Sequence, residues 1–271
     1  MIGEIGINHN GDLQIAKRLI DAVFACSWNC VKFQKRDPDL CVPDAQKNIC
    51  KDTPWGRMNY LEYKKKIEFG RNEYDYIDRY CKEKPIDWTV SVWDLKSLKF
   101  MTKYKMPFIK IPSAKIFDLE FVEAIAKTKI PILTSTGMST LKDLDILVEI
   151  LRRHSCEFAL MHTNSSYPTP IEEININCIK TLKKRYGCVI GYSGHEYNVE
   201  PTVYAAVLGV KIIERHITLS HSMWGTDQMA SLEVAAMDLL RKRIKDIDVI
   251  LGSGKKNVTP NEEKTRMKLM K

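Results

Sequence analysis

The chain has 271 residues, of which 44% are hydrophobic and 28% charged, and its formal net charge is +8. This composition excludes a disordered chain, and no apolar run approaches the roughly 20 residues that a transmembrane helix needs. The basic residues form short scattered clusters, which argues against nucleic-acid binding and is compatible with a small anionic substrate. The N-terminus enters a strand-like segment at once, so we expect a cytoplasmic protein without a signal peptide.

Short β-branched segments alternate with amphipathic helical segments along the chain. Strands are predicted at residues 2–8, 30–34, 88–92, 108–112, 131–136, 157–163, 187–193 and 211–218. Helices are predicted at residues 13–26, 63–82, 119–127, 141–153, 176–186, 199–208 and 232–251. Thr140 with Asp143 resembles a capping box, and Gly209 and Gly252 fall where helices should end. Alternation of strand and helix through eight strands predicts a (β/α)8 TIM barrel that spans residues 1–252.

Two segments depart from this alternation. Residues 35–62 show little periodicity after the second strand, and a long loop there is expected to be functional, since barrel active sites are built from such loops. Residues 253–271 are polar and lysine-rich, without an apolar stripe. We therefore expect a polar tail or linker remnant that adds nothing to the core.

Two histidines, His195 and His216, lie at the ends of the last two predicted strands. Imidazole is a common ligand of divalent metals, and two rings at the same end of neighbouring strands could hold one ion while leaving positions open to substrate. A single histidine at a strand end is more often a hydrogen-bonded structural residue. The metal interpretation therefore needs support from the other strand ends.

Polar side chains recur at alternate positions of the apolar strands, where they would share one face. Glu4, Gly6 and Asn8 do so in the first strand, Lys32 and Gln34 in the second, and Ser193 with His195 and Glu214 with His216 in the last two. Burying such groups costs several kcal/mol unless they are paired or used. The pattern therefore predicts an active site inside the barrel.

Two lysines, Lys32 and Lys110, follow apolar strand residues and would converge at this site. Hydroxyls stand at equivalent strand ends, at Ser91, Ser113, Ser135 and Ser193. Cations and hydroxyl donors in this arrangement predict a phosphate site. A Schiff-base lysine, as in barrel aldolases, is the competing interpretation, but a metal ion would already supply the electrophilic activation that an imine provides.

Six segments in chain order resemble one family closely. They are residues 4–11 (EIGINHNG), 31–34 (VKFQ), 135–138 (STGM), 167–170 (YPTP), 191–195 (GYSGH) and 214–218 (ERHIT). Together they identify the sequence as similar to the sialic acid synthase family from about residue 2 to about residue 254. The resemblance implies condensation of phosphoenolpyruvate with an N-acyl-hexosamine, such as N-acetylmannosamine, to give a nine-carbon 2-keto sugar acid and phosphate.

The resemblance also implies roles for individual residues. Metal ligands fall on His195 and His216, with Mn²⁺ expected before Mg²⁺ or Co²⁺. Phosphoenolpyruvate-binding residues fall on Lys32, Lys110, Ser91, Ser113, Ser135 and Ser193. Sugar-contacting residues fall on Glu4, Gln34, Tyr167 and Asp227, and Glu4 or Asp227 would also orient the attacking water.

Two departures from the family pattern leave alternatives open. The family usually continues into a small antifreeze-protein-like domain that reaches across a homodimer and supplies an arginine to the N-acyl group, whereas this chain stops at Lys271. Ala114-Lys115 replaces a glycine and an acidic residue and would add a positive charge beside the phosphate site.

Two other functions stay open at this point: a related 3-deoxy sugar acid synthase that acts on a phosphorylated aldose, and a catalytically silent sugar-binding barrel. The acceptor itself is also open. It could be N-acetylmannosamine, its 6-phosphate, or a precursor of legionaminic or pseudaminic acid.

Overall fold

A closed barrel of parallel strands forms the centre of the computed structural model, which describes residues 1–270. The strands are β1 Ile2–Gly6, β2 Cys30–Lys35, β3 Cys50–Thr53, β4 Gly56–Asn59, β5 Asp87–Val92, β6 Ile109–Ile111, β7 Ile132–Ser135, β8 Phe158–His162, β9 Val189–Gly194 and β10 Ile212–His216. Strands β1, β2 and β5 to β10 form the barrel in that order, and β10 pairs with β1 to close it. This confirms the predicted TIM barrel, and each predicted strand overlaps a barrel strand.

Helices surround the barrel. They are α1 Leu13–Ala25, α2 Pro38–Cys41, α3 Asp44–Lys47, α4 Tyr60–Ile67, α5 Arg71–Glu83, α6 Leu95–Met101, α7 Leu119–Lys127, α8 Leu141–Arg153, α9 Cys178–Tyr186, α10 Glu200–Val207, α11 Val234–Lys245, α12 Ile247–Leu251 and α13 Pro260–Leu269. No helix within residues 1–270 is both long and apolar enough to cross a membrane. The capping box of Thr140 and Asp143 is present at the start of α8, and Gly209 and Gly252 follow the ends of α10 and α12 as predicted.

The helices differ from the sequence prediction in several places. The single helix predicted at residues 63–82 is two helices, because Glu68 and Gly70 both have extended backbone and Gly70 begins α5 as its N-cap. Helix α6 was missed because its seven residues are too few to show a clear period, although its N-cap Asp94 accepts a hydrogen bond from the Ser97 amide. The predicted tail contains α13, a ten-residue helix with no buried residue.

The segment between β2 and α4 is ordered, contrary to the loop expected there. It forms α2, α3 and the antiparallel hairpin β3–β4, and a capping box of Asn59 and Glu62 starts α4. Tyr63 and Ile67 of α4 pack with Ile7 and Trp224, which follow β1 and β10. The insertion therefore lies over the carboxyl-terminal mouth of the barrel.

The barrel interior is divided into an apolar base and a polar top. At the base, a small apolar cluster contains Ile2, Cys30, Leu133, Ala159 and Met161. Except at Ala159, which is followed by Met161 of the same cluster, the residue two positions further along is polar, and it shares the inward face because side chains alternate faces along a strand. The outward-facing residues join the helices in the main core, and the polar residues therefore share one enclosed layer near the mouth.

Candidate active site

One cavity of about 190 Å³ opens at the carboxyl ends of the barrel strands. Most of the predicted site residues line it, namely Glu4, Lys32, Gln34, Ser91, Lys110, Ser113, Ser135, Tyr167, Ser193, His195 and His216. Asp227 does not line the cavity but lies beside it in the loop after β10, where its Oδ2 is 3.9 Å from Nδ1 of His216. The structure thus brings the predicted residues together at the end of a barrel that carries active sites.

Two lysines and two glutamates form a chain of ion pairs at the floor of this cavity. Nζ of Lys32 is 2.7 Å from Oε2 of Glu4 and 3.4 Å from Oε1 of Glu214, and Nζ of Lys110 is 2.8 Å from Oε2 of Glu214. Lys32 also donates to Oγ of Ser91 at 2.7 Å. All four charged residues are at most 4% exposed, so these charges are held in place away from bulk water.

The two lysines differ in how firmly they hold their protons. Burial opposes the charge of Lys32, yet the carboxylates of Glu214 and Glu4 raise its pKa overall. Burial lowers the pKa of Lys110, because Glu214 compensates only in part and Lys32 repels it. Both ammonium groups are ion-paired, which disfavours the Schiff-base interpretation, since an attacking lysine must be a free amine.

Two of the serine hydroxyls at the strand ends already accept hydrogen bonds from the protein. Oγ of Ser113 accepts a hydrogen bond from the Gly137 amide at 3.0 Å, and Oγ of Ser135 accepts one from Oγ1 of Thr163 at 3.4 Å. Each serine oxygen that accepts in this way still has its own hydrogen to donate. The wall opposite the histidines can therefore donate several hydrogen bonds to an anion.

The two histidines lie side by side at the ends of β9 and β10, on one wall of the cavity, with ring centroids 5.4 Å apart. Nδ1 of His195 lies 2.6 Å from the carbonyl oxygen of Asn164 and so carries the proton, which leaves Nε2 to accept from the Tyr167 hydroxyl at 2.9 Å. Burial, and then the neighbouring His216, lowers the pKa of His195 to about 3. Burial also raises the pKa of Tyr167, which stays a donor.

These residues fit a divalent ion in two respects. Nδ1 of His216 is buried and has no hydrogen-bond partner among residues 1–270, and Nε2 of His195 has a lone pair whose one partner in that part of the chain is the Tyr167 hydroxyl. Within the same residues no group of three or more His, Cys, Asp or Glu is arranged to hold a metal. An ion bound here would thus have few protein ligands and several open positions.

A buried ion pair lies behind the two histidines, on the outer side of the barrel wall. Nη1 of Arg215 is 2.9 Å from Oε1 of Glu196, and both side chains are at most 1% exposed. Tyr192 and Thr202 donate to the same carboxylate at 2.9 Å each. Because Arg215 precedes His216 and Glu196 follows His195 in sequence, this pair ties together the chain segments that carry the two rings.

Replacing Arg215 by methionine should lower the free energy of unfolding by about 3–5 kcal/mol, because Glu196 would remain buried without its counterion. Urea denaturation followed by circular dichroism measures this. Arg243→Met is the matched control, since Arg243 pairs with Glu200 where both side chains are 42% exposed, and it should cost no more than about 1 kcal/mol. Equal losses of unfolding free energy in the two variants would contradict the conclusion that the buried Arg215–Glu196 pair stabilises the fold.

Several cavity residues were not predicted as site residues. Glu214 lies on the same face of β10 as His216, so the alternation of polar residues could have identified it, whereas Thr163 and Ser165 follow β8 in a loop.

The expectation for Asn8 needs correction. Asn8 does not line the cavity, because β1 ends at Gly6 and the Asn8 amide donates to the Ile217 carbonyl at 2.9 Å.

Lys115 also differs from the expectation, which placed an added positive charge beside the phosphate site. Its ammonium is 2.9 Å from Oδ2 of Asp118, so its charge is paired within its own turn. Of the pair Ala114-Lys115, only Ala114 lines the cavity.

A closed parallel barrel with charged and hydroxyl side chains gathered at its carboxyl-terminal mouth is the architecture of a TIM-barrel enzyme. Comparison with known proteins agrees with this class. The NeuB family model matches residues 19–256, and the chain belongs to the NeuB family.

Relatives and a solved structure cover almost the whole chain. N-acetylneuraminate-9-phosphate synthase of Drosophila melanogaster is 37% identical over 90% of this chain, which spans 66% of that protein's length. N,N'-diacetyllegionaminic acid synthase of Campylobacter jejuni is 30% identical over 97% of this chain and 80% of its own length. The crystal structure of the sialic acid synthetase of Leptospira borgpetersenii superposes with a TM-score of 0.87 at 28% identity, covering 100% of this chain and 92% of that chain.

Proposed function

We propose that the protein condenses phosphoenolpyruvate with an N-acyl-hexosamine to form a nine-carbon 2-keto sugar acid and phosphate. The observation that carries this proposal is the cavity itself, in which paired lysines and serine hydroxyls face two imidazoles across a small space. The names of the relatives, which are synthases of sialic-acid-type sugars, support the same reaction.

Phosphoenolpyruvate would lie on the side of Lys32 and Lys110. The ammonium groups and the hydroxyls of Ser91, Ser113, Ser135 and Ser193 would bind its phosphate and carboxylate. Because the lysines are already fixed by Glu4 and Glu214, they are pre-organised and lose little freedom when substrate binds. Their contribution is orientation of C3 toward the acceptor as well as affinity.

The acceptor would lie on the side of the histidines, with Gln34, Tyr167 and Asp227 as contacts. His195 and His216 would hold a divalent ion, for which we propose Mn²⁺, and the ion would act as a Lewis acid on the aldehyde oxygen of the open-chain sugar. The Tyr167 hydroxyl is a neutral donor at this wall and can donate a hydrogen bond to a sugar oxygen.

Charge balance supports a cation at this place. The charges of Glu4, Lys32, Lys110 and Glu214 sum to zero, and His195 is neutral at physiological pH. Phosphoenolpyruvate brings a carboxylate and a phosphate, and burying these without further positive charge would be costly. A divalent cation between the two histidines would offset that charge.

The reaction balances without any redox partner. The C3 of phosphoenolpyruvate bonds to the aldehyde carbon, whose oxygen takes up a proton and becomes a hydroxyl. Positive charge develops at C2, and water adds there and loses a proton. The bond from C2 to the phosphate oxygen then breaks while the new C2 hydroxyl passes its proton to the departing phosphate, which leaves the C2 ketone. Glu4 accepts a hydrogen bond from Gln34 at 2.9 Å and forms an ion pair with Lys32. These contacts hold its carboxylate where it could orient that water.

Phosphate release from phosphoenolpyruvate in the presence of N-acetylmannosamine, or its 6-phosphate, tests this proposal. We expect release that requires the sugar, is lost in EDTA and is restored by Mn²⁺. A folded protein that releases no phosphate with any N-acyl-hexosamine and any of Mn²⁺, Mg²⁺ or Co²⁺ would contradict it.

A further inference from the structure

The ion pair of Arg215 and Glu196 belongs to a buried network on the outer face of β9 and β10, away from the cavity. The Glu196 carboxylate accepts hydrogen bonds at 2.9 Å from the hydroxyls of Tyr192 and Thr202. Nη1 of Arg215 donates to that carboxylate and to the Asn198 carbonyl, at 2.9 Å each. The network therefore joins β9, the turn that follows it, α10 and β10.

Stability alone does not explain why two charges are buried here. Removing an ion pair from water is costly, and apolar side chains that replace both partners together often leave a protein as stable as before. A planar guanidinium bound to a carboxylate supplies fixed direction instead. The carboxylate is also packed directly on the backbone, since a Cβ at Gly194 would lie 2.4 Å from Oε2 of Glu196. The network is thus suited to holding the ends of the two strands in one arrangement.

These strand ends carry the two histidines of the cavity. The pairing of β9 with β10 ends at Gly194 and Arg215, one residue before each histidine. Beyond that point the ion pair continues the connection, because Glu196 directly follows His195 and Arg215 directly precedes His216. Nη2 of Arg215 also donates to the backbone carbonyl of Glu196. The backbone on either side of the two imidazoles is therefore fixed from the outer face, with the ring centroids 5.4 Å apart.

We propose that Arg215 and Glu196 are positioning residues that set the spacing at which His195 and His216 share a divalent ion. This inference rests on the proposed function, and it concerns residues that touch neither the ion nor the substrates. Within residues 1–270 no group of three or more His, Cys, Asp or Glu is arranged to hold a metal, so the mutual placement of the two rings determines much of the affinity. Groups that hold metal ligands in place typically change metal affinity or activity by about 10- to 100-fold when they are removed.

Replacing both partners with apolar side chains separates positioning from stability. The double variant Glu196→Leu with Arg215→Met leaves no charge buried alone, so it should unfold at a higher urea concentration than Arg215→Met by itself. Its Mn²⁺ affinity, measured by electron paramagnetic resonance, should nevertheless fall by about 10-fold or more, and kcat should fall with it. Wild-type Mn²⁺ affinity and wild-type kcat in the folded double variant would overturn the proposal.

A milder variant, Tyr192→Phe, decides the question if the double variant does not fold. It removes one hydroxyl from the Glu196 carboxylate and leaves both charges paired. The Mn²⁺ affinity should fall by about 2- to 10-fold, as expected for one hydrogen bond. Tyr186→Phe is the matched control, because Tyr186 is also buried and donates to a carboxylate, that of Asp145 at 3.0 Å, but lies on α9. Equal Mn²⁺ affinities in the two tyrosine variants would then overturn the proposal.

Failure of the positioning role can be told from failure of the proposed function. If the wild-type protein requires Mn²⁺ and the variants match it, only the positioning role is overturned. If the wild-type protein turns over without a metal, kcat decides: a fall in the double variant, or in Tyr192→Phe, but not in Tyr186→Phe supports the role, and an unchanged kcat overturns it. If the wild-type protein neither turns over nor binds Mn²⁺, Mg²⁺ or Co²⁺, the proposed function fails and the positioning role fails with it.

Discussion

Replacing His216 by alanine should lower kcat by about 1,000-fold or more while leaving the barrel folded. The imidazole is one of two that would hold the activating ion, and activation of a carbonyl by a metal contributes several kcal/mol to the transition state. Nδ1 of His216 has no hydrogen-bond partner among residues 1–270, so its removal breaks no buried network. Phosphate release measures turnover, and far-UV circular dichroism with thermal denaturation measures folding.

A histidine outside the cavity provides the control variant for this experiment. His154 lies at the end of α8, pairs with Glu123 and does not line the cavity. His154→Ala should retain wild-type turnover. Binding of Mn²⁺, followed by electron paramagnetic resonance, should weaken in His216→Ala and stay unchanged in His154→Ala. Full turnover in a folded His216→Ala protein would remove the metal assignment.

Replacing Lys110 by methionine should lower kcat/KM for phosphoenolpyruvate by about 1,000-fold, since the variant loses a fixed cation that both binds and orients the anion. Methionine keeps most of the side-chain volume. Glu214 would retain Lys32 as a counterion at 3.4 Å, which limits the loss of stability. Initial rates of phosphate release over a range of phosphoenolpyruvate concentrations separate the effect on kcat from that on KM.

The kinetic effect of Lys110→Met should be confined to phosphoenolpyruvate. KM for phosphoenolpyruvate should rise in Lys110→Met, whereas the dissociation constant for the acceptor should change little, because the lysine lies at the cavity floor rather than at its rim. Lys99→Met, which changes an exposed lysine of α6, serves as the control. An unchanged KM for phosphoenolpyruvate together with an unchanged kcat would contradict the role given to Lys110.

The sequence predicted the barrel and most of the cavity because both follow from simple periodicities. Parallel strands in a closed barrel all end at the same mouth, so residues at the ends of β2, β6 and β10 must meet there. Alternation then selected Lys32 and Glu4 as inward-facing, and the structure pairs them at 2.7 Å. A period of two along each strand, together with barrel closure, was sufficient for this inference.

The remaining features depend on contacts that no local pattern records. Lys64 belongs to a run of three lysines that resembles a solvated helix face, and only the packing of α4 over the mouth buries the first of them. Asp227 was assigned by resemblance and lies beside the cavity rather than in its lining. The pairing of Arg215 with Glu196 joins a residue of β10 to one that follows β9, and neither side chain has a sequence signal for it.

The most direct test of the central claim is formation of the carbon–carbon bond between the two substrates. Incubation with phosphoenolpyruvate labelled with ¹³C at C3 and an N-acyl-hexosamine labelled with ¹³C at C1, in the presence of Mn²⁺, allows the product to be followed by ¹³C nuclear magnetic resonance. We predict a new pair of signals split by one-bond carbon–carbon coupling, accumulating in step with phosphate. Phosphate release without that coupling, or unchanged substrates in the presence of each metal, would contradict the account.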